Sequence, residues 1–237
     1  MAIPFRVMGH PRSGNHLLAS VLHAALSPGL PGKVIPNRST GHWSQRGLPA
    51  NYKSARGRSK PETVEIPYFA VLGTHNFPSG RHHARTVYIM RDGRDVAMSF
   101  YRWPNLRHPD QADLPLMDFL RVDIDWRGTP GRKWQPRRGY TIFDHWRDHV
   151  AAWHKTGAII VRYEHLVHDP HAVVRRIARK LEMKMVAKVQ LPGAVGWNPS
   201  SGKPRVGTWR KEMPREGAVL FDAKVPQSHI GRWPVRS

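Results

Sequence analysis

The chain has 237 residues, of which 38 are Lys or Arg and 17 are Asp or Glu, so its formal net charge is +21. Such a surplus favours anionic ligands, and a chain of this length buries roughly 70% of its unfolded surface, enough for a sizeable core. The absence of Cys excludes disulfide frameworks, thiolate metal sites and cysteine nucleophiles. No apolar run approaches the length of about 18 residues that a membrane span needs. We therefore expect a cytoplasmic protein without membrane contact.

Short apolar runs alternate with helical patterns along the chain. The runs, which are nearly continuous in apolar residues and so predict buried parallel strands, are Ile3 to Met8, Phe69 to Gly73, Thr86 to Met90 and Ala158 to Val161. Helices are predicted over 14–26, from the N-cap Asp92 through Phe100, over 141–156, and from Asp169-Pro170 onwards. This rhythm predicts an α/β fold. We expect one P-loop-like three-layer domain over 1–237, with a central parallel sheet flanked by helices.

Three segments interrupt this rhythm. Residues 36–67 and 102–139 are too polar to form a core, although a short helical pattern lies at 116–122. They are predicted to be loop or lid insertions, and surface disorder is an equal alternative for 36–67. The segment 192–237 is predicted to be loop-rich.

The first strand runs directly into a glycine-bounded loop, Gly9-His-Pro-Arg-Ser-Gly14, and then into an amphipathic helix. Backbone N–H groups converge at such a helix start and favour an anion. The Gly-x4-Gly spacing matches the phosphate loop of ATPases and GTPases, but Asn15 and His16 stand where that motif has Lys and Ser or Thr. The pattern therefore predicts an anion bound without a divalent metal, with Arg12 as the cation.

A second anion site is predicted where the strand ending at Met90 meets the next helix. Arg91 closes that strand, and Ser99 lies two helical turns further on. Between them, Asp92 and Asp95 read equally well as helix caps and Arg94 as half of an exposed ion pair. The two predicted anion sites together are more informative than either alone.

Four segments, in chain order, resemble those of the PAPS-dependent sulfotransferases. Residues 11–18 (PRSGNHLL) resemble the loop for the 5′-phosphosulfate, and residues 88–101 (YIMRDGRDVAMSFY) resemble the 3′-phosphate motif. Residues 161–166 (VRYEHL) and 203–209 (KPRVGTW) are similar to two later segments of the family. The resemblance implies PAPS as the sulfuryl donor, PAP as the product and no required metal.

The resemblance also implies a set of binding residues. The nucleotide-binding residues are Pro11, Arg12, Ser13, Gly14, Asn15, His16, Leu17, Arg91, Ser99, Tyr163, Lys203 and Arg205. Arg12 replaces the customary Lys of the family, while Asn15 and His16 replace two threonines. In the late segment only Lys203, with Arg205 as a substitute, matches a residue that binds the 3′-phosphate.

His75 is the candidate catalytic base. It follows a predicted strand at the end that faces the ligand crevice in an open α/β sheet, and members of the family carry a Thr-His with this role. Glu62 and Glu65 are the fallback candidates, because relatives that modify glycans use a glutamate. Arg12 is expected to stabilise the departing phosphate. The predicted activity is sulfuryl transfer from PAPS to a hydroxyl acceptor that is anionic or aromatic.

Two other function classes remain open at this point. A P-loop-like kinase for a small hydroxyl compound shares the fold, and the basic run at 53–60 suits a nucleic-acid-binding protein, although no recognition motif accompanies it. His145 and His149 have a helical spacing that suits zinc, but no third ligand is evident, so no metal site is predicted. The sequence leaves the acceptor and the oligomeric state open.

Overall fold

A computed structural model of the chain describes residues 5–26, 34–37, 42–45, 72–75, 77–78, 85–103, 111–123, 139–185, 189, 191 and 204–225. For His16, Ser20, His23, Ala24 and residues 34–37, 42–45 and 72–74, the description is limited to the backbone. Glu62, Glu65 and Lys203 lie outside the described residues.

The central sheet is parallel, as predicted. Its strands, in the spatial order β4-β1-β5-β6, are β1 (Arg6–Gly9), β4 (Leu72–Thr74), β5 (Thr86–Met90) and β6 (Ile159–Arg162). A separate antiparallel pair joins β2 (Val34–Asn37) and β3 (His42–Gln45). All of β3 and the last two residues of β2 lie within 36–67, so this part of the predicted loop or lid insertion forms strands that pair with each other.

Helices connect and flank these strands. They are α1 (Asn15–Leu26), α2 (Gly93–Tyr101), α3 (Leu116–Arg121), α4 (Ile142–His154), α5 (Tyr163–His168), α6 (Pro170–Lys180), α7 (Trp209–Glu212) and α8 (Arg215–Lys224). None of the described helices is long and apolar enough to cross a bilayer.

Local capping explains where the principal helices begin. The Asp92 carboxylate accepts the Arg94 N–H at the start of α2, and the Asp169 carboxylate accepts the Ala172 N–H at the start of α6. Thr141 and Asp144 form a reciprocal capping box at α4. Each such cap satisfies backbone donors that a helix start leaves open, which stabilises the helix by about 1 kcal/mol.

Helices cover both faces of the sheet, because successive strand residues point to opposite faces. Val7, Val87 and Ile89 face one side, where they pack with α1, α5 and α6. Tyr88 and Met90 face the other side, where they pack with α2, α3, α4 and α8. The helices after β1 and after β5 therefore lie on opposite faces, which creates a crevice between the carboxyl ends of these two neighbouring strands.

The C-terminal part differs from expectation. Residues 209–224 lie in the segment predicted to be loop-rich, yet they form α7 and α8. Phe221 of α8 packs against Trp146 and Phe143. Gly217 lies so close to Leu120 and Met213 that a Cβ there would be 3.0 Å and 2.9 Å from their side chains. Tertiary packing stabilises α8 despite this internal glycine.

Candidate active site

The loop between β1 and α1 is a tight turn with two residues in the left-handed backbone region. Their φ values are 70° at Arg12 and 98° at Gly14. Left-handed backbone at a residue other than glycine costs roughly 1–3 kcal/mol and is typical of ligand clamps. A Cβ at Gly14 would lie 2.5 Å from the Tyr163 ring, so both the φ value and the packing require glycine there.

Two buried oxygens in this loop have no hydrogen-bond partner among the residues that the structure describes. They are Oγ of Ser13 and Oδ1 of Asn15, whose residues are 0% and 3% exposed. Buried polar atoms in native proteins are nearly always paired. The loop therefore has the unfilled polar groups of a ligand cradle.

The second predicted anion site lies at the end of the neighbouring strand. Arg91 follows β5, its guanidinium lies 4.5 Å from the centre of the Tyr163 ring, and its Nη2 donates to the Arg205 carbonyl at 3.1 Å. Its Nε is buried and has no partner among the described atoms. Arg205 thus contacts Arg91 through its backbone carbonyl, and Arg205 is itself an exposed residue.

The structure brings the two predicted anion sites together. Gly9, the last residue of β1, pairs with Ile89 of β5, so both loops leave adjacent strands at the same edge of the sheet. Nε of Arg12 donates to Oγ of Ser99 at 3.0 Å, a direct bond between the two sites. We call them the first corner, Arg12 and Ser13, and the second corner, Arg91 and Ser99.

Positive charge is concentrated around Arg12. Its guanidinium stacks on the Trp103 ring at 4.0 Å. Burial, followed by repulsion from Arg91 and Arg102, lowers the pKa of Arg12 to about 10. Arg12 remains charged at neutral pH, and an anion bound beside it would relieve both the desolvation and the repulsion.

His75 lies against the first corner. Because a carbonyl can only accept, the Nδ1–H of His75 donates to the Gly9 carbonyl at 2.8 Å, and Nδ2 of Asn15 donates to the same carbonyl at 3.4 Å. This bond fixes the tautomer and leaves Nε2 as the nitrogen that can accept a proton. Burial, with a smaller contribution from Arg12, lowers the pKa of His75, which keeps the ring neutral at neutral pH.

A buried chain of hydrogen bonds supports His75 from behind. The Tyr88 hydroxyl is 2.8 Å from Nδ1 of His149, and Nε2 of His149 is 3.2 Å from the His75 carbonyl. Burial raises the pKa of Tyr88 well above its usual value, so its hydroxyl keeps the proton and donates it. Nδ1 of His149 therefore accepts from Tyr88, and Nε2 of His149 carries the hydrogen that it donates to the His75 carbonyl.

Sequence reasoning missed His10, which is fully buried beside the loop. Its Nδ1–H donates to the Pro11 carbonyl at 2.8 Å, and its Nε2 accepts from Nδ1 of His145 at 2.9 Å. Burial, and repulsion from His145 and His149, lower the pKa of His10 well below its usual value. His145 and His149, whose helical spacing suits zinc, therefore contact His10 and the His75 carbonyl respectively. No group of three or more possible metal ligands occurs in the described part of the chain.

Glu164, also missed, supports the second corner. The Asp92 N–H donates to its Oε1 at 2.9 Å, which ties α5 to the start of α2. Burial raises the pKa of Glu164 to about 7. A pattern of spacings in the sequence cannot reveal Glu164 as a site residue, because its partner lies 72 residues away.

Among the other predicted site residues, Pro11 and Leu17 are buried, and Leu17 packs into the core beneath the loop.

Residues 7–191 match the family model of the sulfotransferase domain, which is more than half of the chain. The chain belongs to the sulfotransferase family. This match confirms the resemblance to the family and covers the first three of the four sequence segments that suggested it.

Two curated sulfotransferases are similar in sequence. The chain is 23% identical over 186 residues to 3-beta-hydroxysteroid sulfotransferase of Cavia porcellus and 29% identical over 107 residues to luciferin sulfotransferase of Photinus pyralis. These regions are 74% and 45% of this chain, and they span 58% and 26% of the two relatives.

Two solved structures of PAP complexes have a similar fold. Mouse sulfotransferase SULT7A1 complexed with PAP gives a TM-score of 0.53 at 15% identity, covering 97% of this chain and 86% of that chain. Retinol dehydratase in a complex with retinol and PAP gives 0.51 at 16% identity, covering 99% and 83%. The likeness confirms the predicted α/β, P-loop-like fold.

Proposed function

We propose that this chain transfers the sulfuryl group of PAPS to a hydroxyl acceptor. The observation that carries the proposal is the Arg12–Ser99 hydrogen bond, which joins two cationic corners at adjacent strand ends. PAPS and its product PAP carry phosphate groups on two positions of one ribose, so such a nucleotide needs two neighbouring anion sites. The comparison structures with PAP have the same fold.

The residues present fit this nucleotide. The left-handed turn and Oγ of Ser13 suit the 5′ end, and Nε of Arg91 with Ser99 suits the 3′-phosphate, since neither polar atom has a partner in the described part of the chain. Pro11, Gly14, Asn15, His16 and Leu17 would complete the first corner. Tyr163, Arg205 and Lys203 would complete the second.

His75 would act as the general base and Arg12 as the group that stabilises the leaving phosphate. The acceptor oxygen bonds to sulfur while the bond from sulfur to the bridging phosphate oxygen breaks, and the acceptor proton passes to Nε2 of His75. The neutral ring and the fixed tautomer support this role. A positioned base of this kind contributes about 10²–10⁴-fold to the rate.

The acceptor class is part of the proposal. Near His75, the Phe77 ring packs edge-on against His149 and His145 at centroid distances of 4.9 Å and 5.3 Å. These rings support an aromatic acceptor, while the net charge of +21 supports an anionic one. The relatives named after a hydroxysteroid and luciferin support a ring-bearing hydroxyl compound. Cytoplasmic localisation and absence of specific nucleic-acid binding remain predictions.

Thermal unfolding with PAP, with ATP plus Mg²⁺ and with duplex DNA at two salt concentrations tests the donor. PAP at 100 times its Kd should add about 2.7 kcal/mol to the free energy of unfolding, and Arg12→Ala and Arg91→Ala should each reduce this gain. Arg175→Ala removes an exposed charge on α6 and is the matched control. Stabilisation by ATP plus Mg²⁺ alone would favour the kinase, and a DNA effect that persists at high salt would favour the nucleic-acid binder.

Labelled PAPS offered with a panel of phenols, steroids, sugars and acidic hydroxyl compounds tests the acceptor. Transfer to phenols, steroids or acidic hydroxyl compounds is expected. If PAP binds but only neutral sugars are labelled, the acceptor class is wrong while the donor assignment stands.

A further inference from the structure

The second corner includes a segment from far along the chain, residues 205–209. The Arg205 carbonyl accepts from Arg91, 114 residues earlier. This segment has the positive φ of 71° at Gly207 and leads directly into α7. Something must therefore hold it against α2 if Arg205 is to lie beside Arg91.

The buried carboxylate of Asp95 makes that connection. Its Oδ2 accepts the Gly207 N–H at 2.7 Å, and its Oδ1 accepts both the Thr208 hydroxyl and the Trp209 N–H at 3.0 Å. The side chain of Asp95 is 0% exposed. Three hydrogen bonds from consecutive residues of one segment converge on a single ionised group, and bonds to charged groups are the strong ones.

The same carboxylate orients Arg91. Oδ2 of Asp95 lies 3.6 Å from Nη2 of Arg91, the nitrogen that also donates to the Arg205 carbonyl. The Arg91 Nη2 group is thus held by Asp95 and Arg205, while Nε has no partner among the residues that the structure describes. Asp95 therefore lies between the arginine of the second corner and the segment that carries Arg205.

We propose that Asp95 is a positioning residue that holds residues 205–209 in place, so that Arg205 and Arg91 together recognise a 3′-phosphate. The inference rests on the proposed function, because it needs a nucleotide with a phosphate at that end. Asp95 does not touch the nucleotide in this proposal. Its effect is on the preference of the site for a 3′-phosphorylated nucleotide over one that lacks this group.

The test compares the affinities of Asp95→Asn and of the wild type for PAP and for 5′-AMP, measured by calorimetry. The amide keeps the size and one acceptor oxygen, but it directs an N–H group towards either Gly207 or Trp209. PAP affinity should fall roughly tenfold, the equivalent of one charged hydrogen bond, and 5′-AMP affinity should change less than about twofold. The ratio of the two affinities is a readout that general destabilisation would not move.

Two variants keep the test informative. Thr208→Val removes one donor to Asp95 and should give a smaller loss in the same direction, even if Asp95→Asn fails to fold. Asp148→Asn is the matched control, because Asp148 is a paired carboxylate of α4 that accepts from Tyr140 and Arg147 away from this segment. It should leave both affinities unchanged.

A double mutant decides whether Asp95 acts through Arg205. In an Arg205→Ala background, Asp95→Asn should lower PAP affinity less than it does in the wild type, because the Arg205 side chain is already absent and only the direct contact of Asp95 with Arg91 remains to be lost. Full additivity, or equal losses of PAP and 5′-AMP affinity, would overturn the inference while leaving the proposed function intact. A wild-type protein with no preference for PAP would overturn both.

Discussion

The two faces of the central sheet are covered by different kinds of side chain. Among the residues whose side chains the structure describes, the apolar core beneath α1, α5 and α6 is aliphatic apart from Phe5 and Tyr163. The opposite face, beneath α2, α4 and α8, is packed with rings, among them Trp146, Trp153 and Tyr88. His10, His145 and His149 are also buried on this face.

This difference separates folding from chemistry. Aliphatic side chains stabilise the fold through the area that they remove from water and make no hydrogen bonds that could orient a reacting group. Aromatic and imidazole rings with polar atoms can both stabilise the fold and orient a reacting group. The hydrogen bonds that run from Tyr88 through His149 to the His75 carbonyl are an example. We therefore expect mutations on the aliphatic face to change stability and mutations near the histidines to change turnover.

His75→Asn should have the largest effect on activity. Asn keeps an N–H group for the Gly9 carbonyl but has no basic nitrogen, so turnover should fall by about 10²–10⁴-fold with little change in PAP affinity. Single-turnover transfer from labelled PAPS and calorimetry with PAP measure the two quantities. His171→Asn, at an exposed position on α6, is the control. Turnover of His75→Asn within twofold of the wild type would reject His75 as the base.

Leu22→Ala tests the aliphatic face. Leu22 is fully buried, and truncation of such a side chain usually lowers the free energy of unfolding by about 2–5 kcal/mol. Urea unfolding measures this loss, and turnover per folded molecule should stay at the wild-type value. Val219→Ala, at a position that is 59% exposed, should change stability by less than about 0.5 kcal/mol. A clear loss of turnover in folded Leu22→Ala would show that the two faces are not separable.

His10 and His75 should make the stability of the protein depend on pH. Burial lowers the pKa values of His10 and His75, so below pH about 6.5 the unfolded chain binds protons that the folded protein does not. Their contribution to stability therefore falls as pH decreases from about 6.5, by up to about 1.4 kcal/mol per pH unit for each histidine. Glu164, whose pKa is raised to about 7, contributes in the opposite direction between its unfolded and folded pKa values.

A comparison with His10→Gln isolates one histidine, because Glu164 contributes equally to both proteins. Between pH 6.5 and 5, the free energy of unfolding of the variant should decrease less steeply than that of the wild type, by up to about 1.4 kcal/mol per pH unit. Urea unfolding at several pH values measures the slopes. Identical slopes would mean that His10 is not held neutral by its buried position.

The features predicted from the sequence are those encoded locally. A strand that enters a glycine-bounded turn and a helix, or an Asp at a helix start, needs only neighbouring residues, and Asp92 and Asp169 do cap their helices. Proximity of the two corners also follows from the sequence, because the ends of parallel strands share one edge of the sheet. The structure confirms this proximity.

Features that depend on distant residues were missed. Arg94, which the sequence presents as an exposed ion pair, is 7% exposed and lies 3.8 Å from the Trp209 ring. Asp95 looks like a capping residue, yet the three groups that donate hydrogen bonds to its carboxylate are more than 110 residues away. Neither contact leaves a periodic or spaced signal in one sequence, because the partner is a ring or a backbone N–H group that many distant residues could supply.

The lack of a side chain at Gly14 affects the position of Arg91 in the second corner as well as the turn that contains Gly14. The ring of Tyr163 rests on the bare backbone of this residue and also carries the Arg91 guanidinium. A methyl group added at position 14 would displace the ring and, with it, the arginine. The ribose of the proposed nucleotide fixes the distance between its two phosphates. The Tyr163 ring, which lies between Gly14 and Arg91, sets the distance between the first and second corners that would bind them.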